Sequence, residues 1–455
     1  MVSDLRHPTA SLPVRRVELT EWDRCEAAEL SGYRLPPDAA VQRLVRRLCD
    51  SGRVRLLELV EGLQIETTSY VGRLRLSNLD LIIRPKISAS ELTALIVYAF
   101  SLSTTEFYGV GRQFYADLGI ADILAHQFAD ETEHLIRGGL TQQHMRRFDQ
   151  LTFPRGRINF GALARQPYLS KAALPCNFHE RTADWELNRL LALGLATVSR
   201  IATDPSLRQR LARLTNAFPF EVRDLKLTPE RVGRGVDNLD RLTDQYRPAL
   251  QLLVLLADGG SVLLDHSGAE QEGIYSFLFD MNMLFQRLLA RLFSENLKGF
   301  DVVNEFRLSG CLRYVREFNP QKRASPSPRP DYAIQKDKKI IALLDAKYRD
   351  LWTEKLPPEW IYQLALYAAA FAPAHETTIL YPTADPKATE EQIELLDTLN
   401  RGRQLLIHLR PVIIPVLATL LGSQQSRAHE KELHQFCWGL AFGGQLHEAQ
   451  SSVHA

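Results

Sequence analysis

Two aspartates and a lysine stand at the ends of two short apolar runs in the stretch RPDYAIQKDKKIIALLDAKYRD, residues 329–350. Asp331 opens the first run, and Asp345 and Lys347 close the second. If the runs pair as a hairpin with its turn centred on Lys338, Asp331 and Asp345 face each other with Cβ atoms roughly 5 Å apart. Like charges so placed destabilise a sheet unless a cation lies between them, and two carboxylates suit a hard divalent ion, Mg²⁺ or Mn²⁺.

The same pattern places an ammonium group beside the carboxylates. Side chains alternate along a strand, so Asp345 and Lys347 share one face while Ala346 points away. This grouping suits phosphodiester hydrolysis, in which a metal ion acidifies a water, and metal and ammonium together stabilise charge on the phosphate oxygens. The alternative is an ordinary buried strand that ends in solvated charges, with Asp331 as a turn residue.

Residues on both sides of the hairpin extend the candidate site. Gln363 and Tyr367 lie four residues apart, hence on one face of a predicted helix, and that face is expected to look towards the carboxylates. Polar residues on an ordinary packed helix are the alternative. Three basic residues precede the hairpin where a DNA backbone would pass, although a solvated charged loop explains them equally well: Lys322, Arg323 and Arg329.

The elements around the hairpin indicate an α/β domain with a mixed sheet, which we place at residues 266–455. Apolar periodicity predicts the following elements besides the hairpin: a helix over 275–298, strands over 301–307 and 311–317, a helix over 358–373, a strand over 377–382 and a helix that begins near Ala388.

Two further regions precede this domain, so the predicted fold class is multidomain α+β. An N-terminal β-rich and helical domain is placed at 1–150 and a helical middle region at 151–265, with a boundary at Gly259-Gly260 and the polar stretch 265–273. In the first region we predict these elements: a helix over 36–52, strands over 53–60, 63–72 and 74–87, and helical structure from Glu91 to about Arg147.

Composition bounds the classes of function. The 455 residues carry 55 Lys and Arg against 54 Asp and Glu, so a nucleic-acid contact must use local patches. The five cysteines are scattered without a CxxC pair, which argues against a disulfide framework or a zinc ribbon and fits a reducing compartment. No signal peptide and no membrane span are predicted. We therefore expect a cytoplasmic protein with no membrane contact.

With these residues in place, the chain resembles the PD-(D/E)xK nuclease superfamily, with Asp331 as the first acid and Asp345-Ala346-Lys347 as the D-x-K element. Gln363 and Tyr367 resemble the QxxxY helix of its RecB-like branch. More specifically, the chain resembles McrC, the nuclease subunit of the McrBC modification-dependent restriction system. The stretches that carry this resemblance occur in the family's order: 72–87, 153–160, 174–191, 275–293, the hairpin and 362–382.

The resemblance implies a DNA endonuclease subunit that cuts double-stranded DNA with Mg²⁺, or with Mn²⁺ in its place. Asp331, Asp345 and Ala346 would form the metal site, and Lys347, Gln363 and Tyr367 would complete the catalytic set. A separate McrB-like AAA+ GTPase hexamer would read modified cytosine and translocate, stimulated by this subunit docked through its N-terminal region. The sequence contains no GxxxxGK[ST] loop, so this chain is expected to bind no nucleotide.

One departure from the family pattern keeps two alternatives open. The family often has an acid at the position of Gln286, a possible extra metal ligand. A RecB-like nuclease that acts alone or with a helicase is one alternative. The other is an adaptor whose nuclease domain has decayed and that only activates the AAA+ partner. The chain is also longer than a compact McrC, with an unassigned tail beyond about residue 385.

Overall fold

The structure is a computed structural model that describes residues 14–100, 120–165, 173–221, 227–259, 274–371, 375–396, 404–422 and 427–444. Within these ranges the fold divides into two compact units. The first is drawn from 1–118, 272–274 and 278–455, and the second from 119–271 and 275–277. The predicted boundary stretch 265–273 and Gly260 lie outside the described residues.

The first unit begins with a small β-rich region. Its elements are β1 (Arg15–Thr20), β2 (Arg24–Cys25), α1 (Ala39–Asp50), β3 (Val54–Glu58), β4 (Leu63–Thr67), β5 (Tyr70–Leu76), β6 (Leu79–Arg84) and α2 (Ala89–Ala99). The predicted helix over 36–52 is confirmed as α1, where the Asp38 side chain accepts a hydrogen bond from the Ala40 N–H and caps the first turn. The stretch 74–87, predicted as one strand, contains parts of two, because Ser77 turns the chain with φ +53°.

The second unit combines a small sheet with helices. Its elements are α3 (Ile120–Gly138), β7 (Gln143–Leu151), β8 (Arg157–Ile158), α4 (Phe160–Leu163), β9 (Leu174–Thr182), α5 (Glu186–Ile201), α6 (Pro205–Thr215), α7 (Pro229–Asp237) and α8 (Arg247–Gly259). The prediction of helix up to Arg147 was wrong, because β7 pairs with β9 over nine residues. Eight of the nine β7 side chains are exposed, so no alternation of apolar and polar residues marks this strand.

The rest of the described chain holds the hairpin and belongs to the first unit, apart from residues 275–277. Its elements are β10 (Ile274–Asp280), α9 (Met281–Asn296), β11 (Asp301–Asn304), β12 (Tyr332–Lys336), β13 (Lys339–Ala346), α10 (Pro358–Ala370), β14 (Glu376–Thr383), β15 (Glu391–Leu396), β16 (Gln404–Ile413), α11 (Ile414–Gly422) and α12 (Arg427–Phe442). The chain is thus a mixed α/β protein of more than one unit. No helix within the described ranges is long and apolar enough to cross a membrane.

Four sheets organise the described strands. A six-stranded sheet has the order β11-β12-β13-β14-β16-β15, and the others have the orders β1-β6-β5-β10, β2-β4-β3 and β7-β9-β8. In the six-stranded sheet β14 runs parallel to both β13 and β16, while the remaining pairs are antiparallel. The predicted mixed sheet is therefore confirmed. Helix α10 packs on it through Leu364 and Tyr367, which join a buried cluster with Leu343 and Ile379.

The helix predicted over 275–298 is confirmed as α9, although it begins later, and two other predicted elements around the hairpin were wrong. Residues 275–280 form most of β10 and not the start of a helix, and only a 3-10 turn at 316–318 occurs where a strand over 311–317 was predicted. Tyr314 and Val315 are exposed there, with no strand paired to them. The helix predicted from Ala388 is replaced by β15, because pairing with β16 overrides local helix propensity.

Candidate active site

The register of the hairpin depends on a turn and a bulge. Asp337 and Lys338 form a two-residue turn, both with positive φ (49° and 64°), so Lys336 pairs with Lys339. The register then shifts, because Gln335 pairs with Ile340 but Ile334 pairs with Ala342, which leaves Ile341 as the extra residue. Beyond this bulge Tyr332 pairs with Leu344, and the next step of the ladder places Asp331 beside Asp345.

The predicted juxtaposition therefore arises by a different route. The sequence prediction used a turn centred on Lys338, whereas the structure uses a tighter turn plus one extra residue on β13. Without the bulge, Asp331 would face Leu344. The two carboxylates are further linked by the backbone, since the Ala346 N–H donates to Asp331 Oδ2 at 2.8 Å.

Asp345 is a buried carboxylate without a well-directed hydrogen bond. Its exposed fraction is 1%, and among the described residues neither of its oxygens has a hydrogen-bond partner. Lys347 Nζ lies 2.6 Å from Asp345 Oδ2, so the two form an ion pair whose geometry is poor for a hydrogen bond. Burial, followed by the charge of Asp331, raises the pKa of Asp345 to about 6. The site thus needs a proton or a further cation.

Asp331 is better supported than Asp345. Gln286 Nε2 donates to Asp331 Oδ2 at 3.2 Å, alongside the Ala346 N–H. Burial nevertheless raises the pKa of Asp331, and the Ala346 N–H is the largest contribution that opposes this rise. Gln286 lies on α9, and its backbone carbonyl accepts a hydrogen bond from the Tyr332 hydroxyl at 2.6 Å. The amide that stands where the family often has an acid therefore contacts the first aspartate directly.

Lys347 is held between the carboxylate and an aromatic ring. Its backbone N–H donates to Leu380 O at 2.9 Å, which continues the pairing of β13 with β14. Its ammonium lies 5.8 Å from the centre of the Trp360 ring on α10, within reach of a cation–π interaction. The side chain is 19% exposed, so the ammonium is accessible to a ligand.

Gln363 and Tyr367 act on the backbone that carries Asp331. Gln363 Nε2 donates to the Tyr367 hydroxyl at 2.6 Å, and that hydroxyl donates to Arg329 O at 2.9 Å. Burial raises the pKa of Tyr367 to about 12, so it remains a donor at neutral pH. The pair therefore fixes the carbonyl two residues before Asp331, and its hydrogen bonds within the described part of the chain reach neither carboxylate.

The basic residues predicted to bind DNA lie at the surface. Lys322, Arg323 and Arg329 are exposed on the loop between β11 and β12. The two ends of this loop are tied together by the bond from the Leu308 N–H to Pro328 O at 2.9 Å. Their cations face solvent, as either a DNA contact or a solvated loop requires.

The donor set fits a magnesium ion. The described residues contain no group of three or more His, Cys, Asp or Glu side chains that could hold a metal. Mg²⁺ nevertheless usually keeps several waters and binds proteins through one or two carboxylates. The carboxylate oxygens of Asp345, which accept no hydrogen bond from the described residues, are ligands of the kind it prefers, and Asp331 lies beside them. Ala346 has no ligating side chain, so it would contribute only its carbonyl oxygen.

Sequence reasoning missed several contacts of the segment after Lys347. The Tyr348 N–H donates to Asn282 Oδ1 at 3.3 Å, and its hydroxyl donates to Glu21 Oε1 at 3.0 Å. Glu21 is 327 residues away in the chain, and no spacing rule predicts such a contact. The only sequence feature that marked Glu21 was its position, as an acidic residue, directly after the alternating apolar and polar residues of β1.

Comparisons with known proteins identify a family and a similar fold. A family model described as McrBC 5-methylcytosine restriction system component matches residues 65–382. A chain of the solved half-complex of Thermococcus gammatolerans McrB AAA+ hexamers with bound McrC is similar at 20% identity and a TM-score of 0.59, covering 93% of this chain and 99% of that chain. A chain of the T. gammatolerans McrBC complex is 20% identical with a TM-score of 0.44, covering 62% and 88%. No curated protein matches in a sequence search.

Proposed function

The chain belongs to the McrBC 5-methylcytosine restriction system component family, and from this membership we propose that it is the DNA-cleaving subunit of a McrBC-like restriction system. The family predicted from the sequence is thereby confirmed. The observation that carries the proposal is Asp345, which is buried beside Asp331 with no hydrogen bond to either oxygen in the described part of the chain and with Lys347 as its ion-pair partner. An acid in such a position costs folding free energy, and a bound divalent cation would offset that cost.

In this proposal each residue of the site has a defined role. Asp331, Asp345 and the Ala346 carbonyl would hold Mg²⁺, with Mn²⁺ as a substitute. The ion would acidify a water and neutralise charge on the scissile phosphate. Lys347, already 2.6 Å from Asp345 Oδ2, would place its ammonium on a phosphate oxygen as negative charge develops there. Gln363 and Tyr367 would keep Asp331 in position through Arg329 O.

Two surfaces would serve the partners. Lys322, Arg323 and Arg329 would contact the phosphates of double-stranded DNA. A McrB-like AAA+ GTPase hexamer would be the protein partner, as McrC is bound to McrB AAA+ hexamers in the Thermococcus complex. We propose that this partner docks on the N-terminal part of the chain and is stimulated by it. Within this part, β7 offers two exposed apolar side chains for such contacts: Met145 and Phe148. We keep residues 266–455 as the proposed PD-(D/E)xK domain.

A second candidate function is the adaptor that only activates its partner. The observation that favours it is Gln286, because a neutral amide occupies the position beside Asp331 where the family often has an acid. The two functions differ in whether the site cuts DNA.

Plasmid cleavage with Mg²⁺ tests these proposals. Methylated and unmethylated plasmid are incubated with wild type, Asp345→Asn and the matched control Asp301→Asn, which alters an exposed acid of the same sheet. Each is tested with and without the AAA+ partner and GTP. We expect cleavage of methylated plasmid in the complete mixture only, lost in Asp345→Asn and retained in the control. Cleavage by the chain alone would support an autonomous nuclease. Stimulated GTP hydrolysis without cleavage would support the adaptor.

A further inference from the structure

A turn near the N-terminus contacts the chain directly after Lys347. Glu21 and Trp22 form this turn between β1 and β2. Trp22 Nε1 donates to the Tyr348 carbonyl at 3.1 Å, and the Tyr348 hydroxyl donates to Glu21 Oε1 at 3.0 Å. Both the backbone and the side chain of Tyr348 are therefore held by residues more than 320 positions away.

The turn is fixed on its other side by the backbone. Trp22 has φ +56°, a left-handed conformation that bulky residues rarely adopt and that persists only where the surroundings determine it. The Glu21 N–H donates to Arg84 O at 3.1 Å, and the Trp22 N–H donates to Thr68 O at 3.2 Å. The indole is thus aimed at Tyr348 from a rigid base.

Glu21 is a buried acid with one unpartnered oxygen. It is 1% exposed, and its Oε1 accepts from the Lys86 N–H at 2.8 Å as well as from Tyr348. Its Oε2 has no hydrogen-bond partner in the described part of the chain. Burial raises the pKa of Glu21 to about 7. Such a group lowers stability unless something compensates for it, so its presence beside the D-x-K segment points to a role there.

One cation–π contact and two ion pairs lie around the contact of Trp22 with Tyr348. The Arg349 guanidinium lies 5.4 Å from the Trp22 ring centre, and Arg349 Nε lies 2.6 Å from Glu354 Oε2. Lys86 Nζ lies 3.1 Å from Glu354 Oε1. The residue that follows Tyr348 is therefore tied to the N-terminal region as well.

From these contacts we propose that Trp22 and Glu21 are positioning residues for Lys347. By fixing the backbone and hydroxyl of Tyr348, they keep the ammonium of the preceding residue over Asp345. The inference rests on the proposed nuclease function, because it assigns these residues to that site. Neither residue would touch DNA or metal. Their effect would pass through the Tyr348 backbone.

Trp22→Phe tests the proposal, because it removes the indole N–H and retains a ring beneath Arg349. The matched control is Tyr33→Phe, which removes a different side-chain hydrogen bond of the N-terminal region, from the Tyr33 hydroxyl to Asn78 at 2.6 Å. In the complete mixture we expect Trp22→Phe to lower kcat for cleavage by about tenfold or more with KM for DNA unchanged, since small misplacements of catalytic groups have effects of this size. The control should keep the wild-type kcat. Equal kcat in the two variants would overturn the proposal.

A second readout does not depend on cleavage. Acetylation of Lys347 by an amine-reactive ester, followed by mass spectrometry, reports how firmly its ammonium is held against Asp345. We expect faster labelling of Lys347 in Trp22→Phe than in wild type or in Tyr33→Phe. If the wild type cuts no DNA, the proposed function fails, yet this labelling still decides the positioning role. Unchanged labelling would contradict it. Should Trp22→Phe not fold, Tyr348→Phe removes the Glu21 bond while keeping the ring packed 5.9 Å from Phe285.

Discussion

At the scale of single residues, the candidate site is a cluster of charges that remain incompletely neutralised. Asp345 has one ion-pair partner and no well-directed hydrogen bond, whereas Asp331 accepts bonds from Gln286 and Ala346. Two neighbouring carboxylates in a poorly solvated pocket favour a bound cation or a bound proton. The stability of the protein without metal should therefore depend on pH in a defined direction.

The first prediction concerns Asp345→Asn in EDTA. The pKa of Asp345 is raised to about 6 in the folded state, against about 3.9 when unfolded. The stabilising effect of its proton is therefore complete below about pH 4 and is lost as the pH rises through 6. Asparagine does not titrate, so the variant does not lose stability in this way as the pH rises. We expect the variant to gain on the order of 1–3 kcal/mol over wild type at pH 8 and nothing at pH 3.5.

Thermal unfolding followed by circular dichroism at both pH values measures this difference. Asp301→Asn serves as the control and should follow the wild type throughout. A variant less stable than wild type at pH 8 would contradict the prediction. Addition of Mg²⁺ should raise the melting temperature of the wild type and leave Asp345→Asn unaffected.

The second prediction concerns Gln286. Gln286→Glu places a third carboxylate beside Asp331, which should strengthen binding of a divalent cation by roughly tenfold, the lower end of what neighbouring groups contribute to metal affinity. Manganese binding measured by electron paramagnetic resonance reports this affinity directly. Gln335→Glu adds the same charge on β12 away from the carboxylates and should leave affinity unchanged. Equal affinities in both variants would show that Gln286 lies outside the metal site.

At the scale of elements, a hydrogen bond from the Tyr367 hydroxyl links helix α10 to the segment that leads into β12. The Tyr367 hydroxyl of α10 accepts from Gln363 and donates to Arg329 O, and β12 starts three residues later. Helix α10 therefore determines where the first aspartate lies. The sequence spacing of Gln363 and Tyr367 indicated their shared face but not the atom they contact.

The third prediction follows from this arrangement. Tyr367→Phe leaves the Arg329 carbonyl and the Gln363 amide without that partner, which should cost about 1–3 kcal/mol of unfolding free energy. DNA cleavage should fall as well, because Asp331 loses its anchor. Tyr362→Phe, on the exposed face of the same helix, is the matched control for urea unfolding and cleavage. A loss of stability without any change in cleavage would show that the Tyr367 hydroxyl does not position Asp331 for catalysis.

Elements with strong periodicity were predictable from the sequence, and elements defined by distant partners were not. Helix α1 shows its four buried residues at helical spacing, and β13 shows a continuous apolar run. In contrast, β15 contains good helix formers and becomes a strand only because β16 lies beside it. The contact of Trp22 with Tyr348 joins residues 326 positions apart. Local propensity carries no information on such pairs.

At the scale of the whole molecule, opposite charges nearly cancel, with 55 Lys and Arg against 54 Asp and Glu. A net charge of +1 provides no general attraction for DNA, so binding must depend on local groups. The loop between β11 and β12 is one such place, because Lys322, Arg323 and Arg329 are exposed there on the segment that leads to Asp331.

The fourth prediction concerns this loop. Replacing Lys322 and Arg323 by alanine should weaken binding of duplex DNA and reduce the slope of log K against log salt by about 2, roughly one unit for each lost phosphate contact. Fluorescence anisotropy in Ca²⁺ at several salt concentrations measures the slope. Alanine at Lys338 and Lys339, in the turn at the other end of the hairpin, removes equal charge and should leave it unchanged. If the two double variants had equal salt slopes, Lys322 and Arg323 would not contact the DNA phosphates.

The bulge at Ile341 has a consequence for how this hairpin can change over evolution. Because the turn and the bulge together set Asp331 beside Asp345, the number of residues between them matters more than their identity. Substitutions at the exposed turn positions leave that number intact. Deletion of Ile341 would remove the extra residue, so the two-residue turn alone would pair Ile334 with Ala342 and keep Asp331 beside Asp345. A change of one residue that leaves the bulge as it is would instead move Asp345 to the opposite face. In active relatives, the length of this segment and the presence of the bulge should therefore change together.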